Sequence, residues 1–300
     1  AGQNVAYPYP DNGNFTVSLS STSTGGTSID TFPVVITNVA PTANGGADKV
    51  VNEGAATAFD VTVTDPGTAD TFTYAWAWQD ATANGVVKSP NHTFADNGVR
   101  NVVITVTDDD GGAGNDTVQV TVNNVAPTIT SSPGANPAAT EGAQFAYNVT
   151  FTDPGTLDTF TCSKPISPAG STLNLVGGVC QFRWTPNFAQ AIGASTPVRT
   201  CVTDDDGGQV CQDFTISVSF VDVDNDSLPD SWEVANFGNV GATDQFGDPD
   251  HDGMNNLQEF NNVTNPNVYD GPNAPVAQGP VCGSEIATQQ TSLVARNAVD

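Results

Sequence analysis

The feature that most constrains this chain is that it repeats itself. Asn38-Val39-Ala40-Pro41-Thr42 returns as Asn124-Val125-Ala126-Pro127-Thr128, 86 residues on. Phe59 to Thr68 (FDVTVTDPGT) returns as Tyr147 to Thr156 (YNVTFTDPGT) after 88 residues. Val102 to Gly112 (VVITVTDDDGG) returns as Val198 to Gly208 (VRTCVTDDDGG) after 96, so the last repeat has a longer middle. Inside each repeat the apolar residues alternate: Val102, Ile104 and Val106, then Val118, Val120 and Val122. Alternation with period two marks strands that bury one face. Asp-Pro-Gly-Thr and Asp-Asp-Gly-Gly supply tight turns between them. Several short strands in about 90 residues predict an immunoglobulin-like β-sandwich.

The opening of the chain fits this scheme only in part. Asp11-Asn12-Gly13 through Thr42 aligns with Asp96-Asn97-Gly98 through Thr128 with one gap. Residues 1–39 therefore read as the second half of a sandwich, and a half-sandwich exposes an apolar face and open edges. Two explanations stay open: the chain continues a longer repeat array, or a neighbouring subunit supplies the missing strands.

Two resemblances attach to these residues. Residues 40–126 resemble a polycystic-kidney-disease-type (PKD) repeat through His92-Thr93-Phe94-Ala95-Asp96-Asn97-Gly98 followed by VVITVTDDDGG, with Trp76 and Trp78 on that family's tryptophan strand. The family's Gly-Asp-Gly turn after the tryptophan is replaced by Gln79-Asp80-Ala81-Thr82. Residues 127–220 are similar to the cadherin-like immunoglobulin-type repeats of bacterial surface proteins, through Arg183-Trp184-Thr185-Pro186, TDDDGG and Phe214-Thr215-Ile216-Ser217-Val218. The resemblances imply a fold and say little about ligands.

Charge narrows the function classes. The chain has 7 Lys+Arg against 33 Asp+Glu, a formal charge of −26 that repels nucleic acid and anionic membranes and attracts divalent cations. No apolar run approaches the roughly 20 residues that span a bilayer. The chain opens at Ala1 without a basic-then-apolar leader, as expected of mature or excised material. Its cysteines (Cys162, Cys180, Cys201, Cys211, Cys282) show no zinc-type spacing and point to disulfides in an oxidising compartment. Cys201 and Cys211 flank the Asp204-Asp205-Asp206-Gly207-Gly208 turn and can face each other across a hairpin, which leaves Cys162 for Cys180. Cys282 is then either free or intermolecular.

Beyond the last strand stand two acidic twelve-residue segments, DVDNDSLPDSWE from Asp222 to Glu233 and DPDHDGMNNLQE from Asp248 to Glu259. Both fit a calcium loop with oxygen ligands at positions 1, 3, 5, 7, 9 and 12. The first set is Asp222, Asp224, Asp226, the carbonyl of Leu228, Asp230 and Glu233; the second is Asp248, Asp250, Asp252, the carbonyl of Met254, Asn256 and Glu259. A hard dication takes six to eight oxygens at about 2.3–2.6 Å, and alternate residues of a tight loop point inward to supply them. Position 6, where glycine is the rule, is Ser227 in the first loop, which predicts a strained turn. No amphipathic helix precedes either loop, and Pro229 and Asn255 stand where paired EF-hands carry a bridging aliphatic residue. The pattern instead resembles dockerin and thrombospondin type 3 modules, with only the exiting helices, expected at 231–237 and 256–262. Trp232, Phe237, Leu257 and Phe260 are the expected small core, which metal binding would stabilise.

Neither His92 nor His251 stands in a recognisable nucleophilic arrangement, and no catalytic site is expected. The acidic turns at Asp65/Asp70, Asp153/Asp158, 108–110 and 204–206 could bind calcium between repeats, as in cadherins, but their ordinary role is turn formation. The expected architecture is mainly β: tandem immunoglobulin-like sandwiches plus a small helical calcium-loop module. Its segments are a half-repeat (1–39), a PKD-type sandwich (40–126), a disulfide-bearing cadherin-like sandwich (127–220), the two-loop module (221–265), and a linker, donor strand or next domain (266–300). The expected role is an extracellular or cell-surface, calcium-binding, structural or adhesive repeat protein, with a filament built by strand complementation as one form of it. Its partners are other copies, neighbouring repeats, or cell-surface or matrix ligands, with no nucleic acid and no membrane span. The alternative is the non-catalytic stalk of a secreted hydrolase.

Overall fold

The computed structural model describes residues 5–193 and 195–270, so the expectations for Cys282 and for residues 271–300 lie outside the described residues. The chain is mainly β, with immunoglobulin-like sandwiches and a few small helices. Within the described residues it forms two compact units, one from residues 5–137, Ala146–Trp184 and Pro197–Thr215, the other from Ala138–Phe145, residues 185–193 and 195–196, and residues 216–270.

The first unit opens with a hairpin of β1 (Gly13–Ser23) and β2 (Gly26–Ile36), paired antiparallel from Gly13↔Ile36 to Ser23↔Gly26. The sandwich that follows contains β3 (Thr42–Asn44), β4 (Lys49–Asn52), β5 (Ala56–Ala58), β6 (Thr62–Thr64), β7 (Phe72–Ala77), β8 (Asn91–Thr93), β9 (Gly98–Asp108) and β10 (Ala113–Asn123). One sheet runs β4-β10-β9-β7, with β4 parallel to β10; the short pairs β3-β6 and β5-β8 complete the fold. The alternating residues predicted to face inward, Val102, Ile104, Val106, Val118, Val120 and Val122, close on Phe59, Val61, Trp76, Trp78 and Phe94. Aromatics of this size carry much of a small core's burial.

The departure from the usual turn after the tryptophan strand has a structural counterpart. Gln79 and Ala81 adopt left-handed backbone at φ 63° and 65°. The Asp80 carboxylate between them accepts hydrogen bonds from the Thr82 amide and hydroxyl and lies 2.6 Å from His92 Nε2. The His92 ring stacks on Trp78 at 4.2 Å, so this histidine is a packing residue of the core.

The hairpin and the sandwich share a sequence pattern but not an environment. Val17, Leu19 and Phe32 hold the register of Val102, Ile104 and Val118, as the end pairs Gly13↔Ile36 and Gly98↔Val122 show. The latter three are 0% exposed, whereas Val17, Leu19 and Phe32 are 42%, 61% and 46% exposed. Nothing among the described residues stands beside β2 as β4 stands beside β10.

The second sandwich is built from β11 (Thr128–Ile129), β12 (Ala138–Thr140), β13 (Phe145–Val149), β14 (Phe151–Thr152), β15 (Phe160–Ile166), β16 (Thr172–Val176), β17 (Val179–Trp184), the short α1 (Phe188–Ala191), β18 (Thr196–Asp204) and β19 (Gln209–Ser219). Its main sheets are β12-β19-β18-β15 and β13-β17-β16. Both expected disulfides are present: Cys162–Cys180 joins β15 to β17 across the sheets, and Cys201–Cys211 ties β18 to β19.

In the second unit, β19 ends at Ser219 and the acidic loops lead into α2 (Asp230–Phe237) and α3 (Asn256–Asn262). Helix α2 therefore begins one residue earlier than the sequence predicts. Gly238 ends it in the left-handed conformation that glycine tolerates, at φ 87°. Asn255 caps α3 through a capping box with Gln258. Around them Trp232 packs on Phe237 and Phe260, and Phe188 and Phe220 also meet Phe260. Leu228 and Met254 are buried in this unit, whereas Leu257 is only half-buried, so the seventh loop position takes the packing role expected of Leu257.

Candidate metal centre

The two loops fold alike because their backbones turn at the same places. Position 4 is left-handed in both, at Asn225 (φ 60°) and His251 (φ 62°), and so is position 6, at Ser227 (φ 74°) and Gly253 (φ 93°). The turns aim loop amides at the first aspartate: Asp226 and Ser227 donate to Asp222, and Gly253 donates to Asp248. Position 5 bonds position 7, with Leu228 N–H on Asp226 at 2.8 Å and Met254 N–H on Asp252 at 2.8 Å.

In the first loop, oxygens of Asp222, Asp224 and Asp230 lie within 4.8 Å of one another. Asp226 Oδ2 and Glu233 Oε2 are buried without a hydrogen-bond partner. Glu233 is completely buried, and its other oxygen accepts the Gly241 amide at 2.9 Å. Asp230 also accepts the Val223 amide, closing the loop on itself. In the second loop, Asp248 Oδ1, Asp250 Oδ2, Asn256 Oδ1 and both oxygens of Glu259 are buried and unpartnered. The Asn256 amide nitrogen donates to Thr243 and to the Asp244 carbonyl, which leaves its oxygen turned to the loop.

Electrostatics follow from this crowding. Burial, then the charges of Asp250, Asp252, Asp270 and Asp248, push the Glu259 carboxyl up to about 7. Glu233 is raised chiefly by burial, against the lowering effect of the Gly241 amide. Asp226 and Asp250 are raised by burial as well. Eleven carboxylates stand between Asp222 and Asp270, and the sequence has no Lys or Arg from Thr200 to Ala295. A buried carboxylate without a cation is expensive. The donor set is all oxygen, which suits a hard dication such as calcium and not zinc.

Three contributors were beyond sequence reasoning. Gly241 holds Glu233 from eight residues away, Asp244 positions Asn256, and the Asp270 amide donates to Asp252. None falls within a twelve-residue spacing pattern, and no local signal marks them.

A family model of the PKD domain matches residues 38–122. No curated protein matches the chain. Among solved structures it is similar to the PKD1 domain of Epp from Vibrio anguillarum, at 24% identity and a TM-score of 0.25, over 29% of this chain and 98% of that one. It is similar to Drosophila N-cadherin EC1-4 at 15% identity and a TM-score of 0.29, over 72% of this chain and 61% of that one. It is also similar to an endo-fucoidan hydrolase of glycoside hydrolase family 107 at 15% identity and a TM-score of 0.30, over 70% of this chain. The chain spans 34% of that hydrolase's length. Likenesses of this degree carry no argument about activity or arrangement. The chain contains a PKD-type domain at residues 38–122, and no helix among the described residues is long and apolar enough to cross a membrane.

Proposed function

We propose that this chain is an extracellular structural or adhesive repeat protein whose acidic loops bind two calcium ions. The observation that supports it best is the pair of completely buried glutamates, Glu233 and Glu259, each closing a loop of converging oxygens with no basic residue nearby in the sequence. Asp222, Asp224, Asp226, the Leu228 carbonyl, Asp230 and Glu233 would hold one ion. Asp248, Asp250, Asp252, the Met254 carbonyl, Asn256 and Glu259 would hold the other. The metal supplies positive charge, and its binding free energy adds to the stability of a core too small to stand alone. No entering helix is present to swing open, so the ions act as staples rather than as a sensor's trigger. Two disulfides and PKD-type repeats favour an oxidising, extracellular setting.

The test is limited proteolysis and thermal melting of the full chain with calcium and with chelator. Cleavage within residues 222–260 should appear only with chelator, and equal resistance in both would remove the reading.

A second reading, assembly of copies into a filament, is favoured by the exposed apolar residues of the β1–β2 hairpin. Strands from a second copy would take the places that β4 and β7 take beside β10 and β9. Electron micrographs of concentrated protein should then show regular polymers, and Leu19→Asp with Phe32→Asp should dissolve them. A strictly monomeric parent chain would exclude it.

A further inference from the structure

The last repeat differs from the one before it in its middle, which is eight residues longer, the difference between its 88- and 96-residue offsets. The added length accompanies β16, a strand with no counterpart between β7 and β8 of the first sandwich. β16 ends its sheet, bonded to β17 on one side and to no strand on the other. The Gly177-Gly178 turn, left-handed at φ 57° and 77°, makes Val176 and Val179 a mutually bonded pair. Bonding alternates from there, so the backbone groups of Leu173 and Leu175 face the open side.

Open edges are ordinarily protected by charge, proline or a bulge. The edge strand β15 of the other sheet has all three: Lys164, Pro165 and a register shift between Ser163 and Ile166. β16 has none of them; it reads Thr172-Leu173-Asn174-Leu175-Val176. Leu175 and Val176 are 40% and 54% exposed.

Sequence and charge together say what fits this edge. The strand reads nearly the same in both directions about Asn174: Leu173 answers Leu175, and Thr172 answers the similarly shaped Val176. A two-fold axis at Asn174 therefore pairs the strand with itself, as an isologous contact requires. Two copies of a chain of charge −26 repel each other, so a self-contact needs a surface without acids. No Asp or Glu occurs from Thr159 to Thr203, the stretch that contains β15, β16 and β17, although the chain has 33. The cations within it are already engaged. Arg199 pairs with Asp213 at 2.7 Å, Arg183 donates to the Tyr147 and Phe182 carbonyls, and Lys164 donates to Ser167.

We propose that two copies of this chain pair through β16, antiparallel about a two-fold axis at Asn174, joining two sheets edge to edge. Leu173 of each copy exchanges backbone hydrogen bonds with Leu175 of the other, which also covers the exposed Leu175 side chain. Asn174 is exposed, on the face opposite Leu173 and the buried Phe182, so the two Asn174 side chains meet on the outer surface. The contact is separate from the β1–β2 hairpin and from the acidic loops, and rests on neither.

Sedimentation equilibrium of the full chain with calcium reads the pairing. A short edge contact should give a dissociation constant between about 1 µM and 1 mM. Asn174→Lys puts like charges opposite each other at the axis and should weaken the dimer at least about tenfold, with the monomer's melting temperature unchanged. Asn174→Cys on a Cys282→Ser background, which leaves one cysteine outside the two disulfides, should form a covalent dimer on mild oxidation. Thr172→Cys on the same background should not, because roughly 13 Å of strand separates the two copies of that position. A chain monomeric up to about 1 mM, a dimer that Asn174→Lys leaves unchanged, or equal cross-linking at both positions overturns the proposal. A dimer that dissolves with Leu19→Asp and Phe32→Asp but not with Asn174→Lys belongs to the hairpin and overturns it as well.

Discussion

Ser227 and Gly253 occupy the same position of the two acidic loops, and both are left-handed, at φ 74° and 93°. An L-residue in that region loses roughly 1–2 kcal/mol, while glycine forfeits about 0.5–1 kcal/mol of chain entropy on folding. Ser227→Gly should therefore stabilise the chain by about 0.5–1 kcal/mol net. Gly253→Ser should destabilise it by a similar amount. Chemical denaturation of the calcium-free protein reads both, and a destabilised Ser227→Gly would contradict the strain assigned here.

Without calcium, the pH dependence has a definite sign. Glu259 and Asp158 both titrate at about 7 in the folded chain, above their ordinary 4.5 and 3.8. Raised carboxyl groups add stability that is complete below the unfolded values and is lost as pH rises through the folded ones. The chelated protein should melt at progressively lower temperature between about pH 4 and 7. Glu259→Gln should flatten part of that fall, and added calcium should oppose it, since the ion binds the ionised form.

The disulfides close short loops, with sequence separations of 18 for Cys162–Cys180 and 10 for Cys201–Cys211. Replacing either pair by serine should cost about 2–4 kcal/mol, read as a lower denaturation midpoint. A cost well under 1 kcal/mol would mean that the unfolded chain gains little freedom.

Asp80 holds a turn whose flanking residues are both left-handed. Asp80→Ala removes the acceptor for the Thr82 amide and hydroxyl and for His92, and should destabilise the first sandwich by about 1–3 kcal/mol. Ala81→Gly, at φ 65°, should recover part of that loss. Loss of near-ultraviolet circular dichroism from the Trp76–Trp78 stack provides a local readout.

What could be read from the sequence was what spacing alone encodes. Alternating valines announced strands, Asp-Asp-Gly-Gly announced hairpin turns, and the Cys201–Cys211 pair followed from the turn between them. The acidic loops could be read for the same reason: alternate residues of a twelve-residue turn converge however the rest of the chain folds. Helix α2 began a residue early because the Glu233 amide already bonds the Pro229 carbonyl, a detail that propensity does not carry.

Burial was decided only by tertiary structure. Glu53 and Asp158 are 105 residues apart in sequence, and each looks like an ordinary turn acid until the two sandwiches bring them together. Leu19 and Ile104 share one pattern, yet one faces solvent and the other is sealed, because burial depends on what packs above a strand. The sequence by itself determined the repeats, the turns and the two acidic loops, all set by contacts within a few residues. Tertiary structure decided which carboxylates lose their water, because desolvation is a property of the packed chain.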